Sequence, residues 1–210
     1  MRRLMSGFGL KKLANGINRL PTIVAVVIFS ALGALLNSQV SPGFMLNKAN
    51  LSLVAGVFLT ILIITVFYDL MRGYYLKKRF GVKSKLRTHA LGLITALLMI
   101  IVSRVANFLP GYMYGIFTGL IYASSLNDEQ DGEGLAAATW FLIGLAFIGW
   151  FALIPVKAAA SAQDPSFLIL TVQAMLSSLW TSTLTLLVFG MIPMRFLYGE
   201  QVKKWNRNGW

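Results

Sequence analysis

Residues 51–71 (LSLVAGVFLTILIITVFYDLM) form an apolar stretch in which Val, Ile, Leu and Phe fill every helical face, with one acid, Asp69, near its end. A helix without a polar face cannot lie on the surface of a water-soluble domain and must be surrounded by protein or lipid. At about 1.5 Å per residue, the stretch matches a bilayer hydrocarbon core of about 30 Å. Comparable runs lie near 21–37, 88–108, 110–125, 135–156 and 167–193. The expected fold is therefore all-α: a polytopic transmembrane helix bundle of about six spans. It divides into a basic amphipathic segment at 1–20, a transmembrane domain at 21–194 and a basic interfacial tail at 195–210. Only 12% of residues are charged, against about a quarter in a soluble domain.

The placement of cations sets the expected topology. Lys and Arg cluster at 2–19, 72–87 and 195–207, between the apolar runs. With six spans, these clusters share one side and hold 16 of the 19 positive charges. Lys48 and Lys157 fall on the other side, with Arg104 near that border. If the fourth run instead re-entered and left on the same side, the tail would move outside. Cationic loops resist translocation, so six spans with cytoplasmic N- and C-termini are expected. Clusters that flank spans point to membrane lipids with anionic headgroups as counter-ions, and no nucleic acid is expected as a partner.

Two segments near the start have alternative readings. Leu10, Leu13, Ile17 and Leu20 share one helical face, which suits a helix in the headgroup layer or, equally, a solvated basic arm. Run 21–37 barely crosses the core, and Ala31-Leu32-Gly33 before Ala34 resembles a secretory signal. The long basic stretch before it favours a retained helix.

Chemistry-bearing residues are sparse. The absence of Cys excludes disulfides and thiolate sites. A single histidine, His89, excludes a histidine cluster, and four of the seven acids crowd into 128–133, within a polar acidic loop expected at 126–134. There is no GxSxG, HExxH or P-loop pattern. No enzymatic activity, metal or cofactor is expected. Ser and Thr in the last run, from Ser177 to Thr185, lack an evident base and are expected to bond helix carbonyls or bridge helices.

A few polar and glycine positions remain. Gly111, Gly115 and Gly119 recur every four residues, which on a helix would let another backbone approach closely. The sharper alternative is that Gly111 shapes a broken-helix site or pore lining with Tyr112 and Tyr114. Leu109-Pro110-Gly111 breaks the preceding helix. Arg104, deep in the third run, needs a partner such as Asp164, Tyr112, Tyr114 or a carbonyl freed by Pro110, or else snorkels to the outer headgroups. Asp69 and His89, near the same edge, would form a polar pair able to hold a proton, although interfacial placement explains both. Tyr74, Tyr75, Trp205 and Trp210 are expected as interfacial anchors.

Two segments carry a family resemblance: Ser103-Arg104 with Phe108-Leu109-Pro110-Gly111-Tyr112-Met113-Tyr114-Gly115, and Phe189-Gly190-Met191-Ile192-Pro193-Met194-Arg195-Phe196-Leu197-Tyr198-Gly199. Together they resemble the actinobacterial membrane proteins named for an FGLLP motif, a family without an assigned activity. The likeness covers roughly 51–210. The chain departs in having FGMIP for FGLLP and Tyr198 where the family usually has proline. The resemblance implies a bacterial cytoplasmic membrane protein with Arg104, Pro110, Gly111, Tyr112, Gly115, Phe189, Pro193 and Arg195 as motif positions. Family members often continue into a further hydrophobic stretch after the tryptophan corresponding to Trp210, and some carry an extracellular domain before the second run. A short or C-terminally truncated member is expected. In the second motif, Pro193 ends a span, Arg195 marks its edge and Gly199 lets the tail turn along the surface.

The expected function is a non-enzymatic membrane scaffold or assembly subunit. Its basic cytoplasmic face would bind anionic lipid or an acidic partner, within a homo-oligomer or a larger membrane complex. The alternative is a small-solute or ion channel or transporter, with a pathway near Arg104 and the Gly111/Gly115/Gly119 helix.

Overall fold

The computed structural model describes residues 21–38, 46–88, 118–191 and 198–206. Among them are helices α1 (Thr22–Ser38), α2 (Lys48–Phe80), α3 (Asp128–Ala160), α4 (Phe167–Gly190) and α5 (Tyr198–Trp205), with strands β1 (Ser84–Thr88) and β2 (Thr118–Tyr122). Helices α2, α3 and α4 are each long and apolar enough to cross a membrane, and α1 contributes a shorter apolar helix. The chain is thus mainly helical and integral to a membrane. Large apolar side chains such as Trp140, Ile148, Phe151 and Leu168 point outward from α3 and α4, as lipid-facing positions require.

Contacts fix how the helices run. Tyr68 and Ile64 of α2 share a buried cluster with Leu135, Ala138 and Leu142 of α3, Leu179 of α4 and Val202 of α5. At one end Lys48 reaches Asp164 in the α3–α4 connection, at 2.7 Å. At the other, Arg72 pairs with Asp131. Helices α2 and α4 therefore run in the same direction and α3 runs against both. The C-terminal end of α2, the start of α3, the strand pair and α5 all gather at one end of the bundle.

Helix α2 extends past the apolar run because nothing between Tyr74 and Phe80 breaks it. At 33 residues it is about 50 Å long, well beyond the hydrocarbon core. Asn47 caps its start by accepting from the Asn50 amide at 2.8 Å. Gly81, at φ 70°, closes its end, a backbone conformation that costs glycine least. The stretch expected as a basic loop at 72–87 is consequently helix to Phe80, then a turn, then β1.

The acidic stretch 126–134, expected as a loop, instead begins α3. Asn127 and Gln130 form a reciprocal capping box, and acids in the first turn complement the helix dipole. Their charge is answered by α2: Arg72 pairs with Asp131, Arg79 lies 3.6 Å from Glu133, and the Tyr75 hydroxyl donates to Glu133.

A helical fourth span over 110–125 is overturned. Residues 118–122 (TGLIY) are rich in strand-forming Thr, Ile and Tyr, and they pair antiparallel with β1, Thr88 opposite Thr118 and Ser84 opposite Tyr122. Thr88, expected to open the third span, ends β1. Because Thr88 and Thr118 are neighbours, the chain departs from and returns to the same end of the bundle.

Candidate functional site

Helix α2 meets the strand pair at Gly73. A Cβ there would lie 2.6 Å from Ser84 Oγ and 3.5 Å from Leu120 Cδ1, so both strands seat closely against the helix at this glycine. The seating leaves a groove of about 640 Å³ walled by Asp69, Gly73, Tyr74 and Lys77 of α2, Lys83 and Lys85 of the turn and β1, and Leu120 and Ile121 of β2. Along β1 burial alternates, with Leu86 turned inward and Lys85 and Arg87 exposed.

The groove is chemically two-sided. Leu70, Tyr74 and Ile121 offer exposed apolar surface, while exposed Lys77, Lys83 and Lys85 form a basic rim. Asp69, 5% exposed, lies deeper and is already engaged by another group of the protein. Behind this wall Arg72 sits under the Tyr122 ring, 5.5 Å from its centroid, and ties the strand pair to α3 through Asp131. Its Nε is buried without a hydrogen-bond partner among the described residues.

The tail completes this end. Val202 is buried, and a Cβ on Gly132 of α3 would come within 2.2 Å of the Trp205 Cβ. Trp205 packs on α3 at this end. Lys204 pairs with Glu200 at 3.0 Å.

Among the sequence-derived candidates, Asp69 lines the groove. Gly119 lies in β2 opposite Arg87, so it does not share a helical face with other glycines. Gly115, Gly111, Pro110, Tyr112, Arg104, His89, Pro193 and Arg195 lie outside the described residues. The backbone of Phe189 belongs to the last turn of α4. Asp164, a suggested partner for Arg104, pairs with Lys48. In α4, Thr181 donates to the Ser177 carbonyl at 3.0 Å, the carbonyl-bonding expected of this run, whereas Thr183 Oγ1 is buried without a hydrogen-bond partner among the described residues.

The α2–α4 crossing was legible but overshadowed by the other glycine series. Ser52, Gly56 and Thr60 recur every four residues on α2, and all are buried. A Cβ at Gly56 would lie 2.6 Å from Ala174 Cβ and 2.7 Å from the Met175 nitrogen. Thr60 Oγ1 donates either within its own helix, to the Gly56 carbonyl at 3.0 Å, or across the crossing, to the Met175 carbonyl at 2.9 Å. Small residues permit such approach where lipid supplies no hydrophobic drive. Among the described residues, no group of His, Cys, Asp and Glu is arranged to hold a metal ion. Compared with protein-family models, curated proteins and solved structures, the chain matches none.

Proposed function

We propose that this protein is a non-enzymatic scaffold or assembly subunit of the bacterial cytoplasmic membrane, with its basic end facing the cytoplasm and held to anionic lipid. The observation that carries the reading is the gathering of exposed Lys77, Lys78, Lys83, Lys85 and Arg87 at one end, beyond the apolar part of α2. Acids at that end are partly consumed by internal pairs, Arg72 with Asp131, Arg79 with Glu133 and Lys204 with Glu200. Retention of cations on the cytoplasmic side gives the orientation, and anionic lipid there attracts juxtamembrane basic groups. The opposite end carries Lys48, Lys157 and Asp164. Membership of the FGLLP-motif family belongs to the same proposal. Crosslinking in native membranes tests it: adducts heavier than the lone chain are expected, and a monomer under every condition would contradict the assembly role.

A further inference from the structure

We propose that the groove between α2 and the strand pair is a site for one anionic phospholipid, its phosphate held by Lys77, Lys83 and Lys85 and its acyl chains lying along Leu70 and Tyr74. The inference rests on the basic end facing anionic lipid and narrows that reading to one site.

Three features select the ligand. Lys77 comes from a helix, Lys83 from a turn and Lys85 from a strand, yet all three border one cavity. An anion at its rim meets several ammonium groups that no single helical face would supply. The wall is otherwise largely apolar, and Leu70 and Tyr74 are 50% and 59% exposed. A free phosphate gains nothing from such a surface, whereas a lipid gains there as well as at the rim. At the lysine rim the ammonium groups act as strongly hydrated point charges for the phosphate. The volume, about 640 Å³, is within the range of small-ligand sites, about 300–1,000 Å³.

Native mass spectrometry of the whole protein in detergent, titrated with phosphatidylglycerol, phosphatidylcholine or inorganic phosphate, tests the proposal. The expected result is one retained phosphatidylglycerol, with much weaker retention of phosphatidylcholine and phosphate. The triple variant Lys77→Gln, Lys83→Gln, Lys85→Gln is expected to weaken phosphatidylglycerol binding by on the order of tenfold or more. A charge-matched triple at the same end, Lys78→Gln, Lys203→Gln, Lys204→Gln, is expected to weaken it by about twofold or less. Gly73→Leu keeps every charge but intrudes on the groove, and is also expected to abolish retention. Equal losses in the two triples would overturn the site while leaving a diffuse basic face intact. Equal retention of phosphatidylglycerol and phosphatidylcholine by the unaltered protein would overturn both readings. Phosphate competing as well as the lipid would overturn the lipid assignment.

Discussion

Gly56 and Ala174 bring two membrane-crossing helices into backbone contact, with room for no side chain between them: a Cβ on Gly56 would stand 2.6 Å from that of Ala174. Gly56→Leu must therefore separate α2 from α4 and break the contact at Thr60. The expected loss is about 3 kcal/mol, at the upper end for overpacked sites, with Gly56→Ala costing about 1 kcal/mol. Gly144 meets nothing within 4 Å, so Gly144→Ala is expected to be neutral or slightly stabilising. Unfolding in detergent–SDS mixtures measures all three; a Gly56→Leu variant as stable as Gly144→Ala would remove the crossing.

Arg72 and Asp131 join α2 to α3 with side chains only 13% and 25% exposed. Removing either partner leaves the other charge poorly hydrated. Arg72→Gln and Asp131→Asn are each expected to cost about 2 kcal/mol, with a coupling of about 1–2 kcal/mol in the double-mutant cycle. Arg72→Lys should rescue only part of the loss, because lysine lacks the planar group that lies under Tyr122. Additive single losses would show that the pair contributes nothing specific.

Replacing Gly132 tests the docked tail. Gly132→Leu would occupy the space of the Trp205 Cβ and should release α5. Trypsin is then expected to cut at Lys203 and Lys204 several-fold faster than in the unaltered protein. Unchanged cleavage would mean that α5 holds without this contact.

Much of this architecture is readable from residue order, and the unread part has specific physical causes. Helix α2 was visible because its apolar faces leave lipid as the natural surroundings, and the basic clusters foretold a charged end. The extension of α2 to Phe80 was missed because Lys77, Lys78 and Arg79 look like a loop when judged by polarity alone, although they are good helix formers. Residues 126–134 were misread in the same way: their acids suit a helix start and find Arg72 and Arg79 across space. The strand at 118–122 was hidden because a short run of Gly, Leu, Ile and Tyr has no period that separates strand from helix. Its partner, β1, lies in a segment judged by charge. The groove followed from that pairing and could not be seen before it.

Asp164 offers a pH test at the opposite end. Lys48 donates to its carboxylate and also stabilises the negative charge across space, which holds the Asp164 carboxyl below its ordinary value. A lowered folded-state value makes the contribution present above the unfolded carboxylate range, about 3.9. It is lost as pH falls through the lower folded value. Asp164 is largely exposed and Lys48 about half exposed, so the effect on stability is small and screened by salt. An NMR titration of Asp164 is expected to show the lowered value, and Lys48→Gln to bring it back up. No change in that variant would dismiss the pairing.

The central claim is that the end of α2, the strand pair and the tail share one membrane face, opposite the α3–α4 connection. The chain contains no cysteine, so single cysteines can be placed on an unmodified background. Lys78→Cys, Ser125→Cys and Lys204→Cys are expected to react with an impermeant maleimide only after cells are permeabilised, and Gln163→Cys to react in intact cells. Labelling that put any of the first three on the same face as Gln163 would contradict the arrangement.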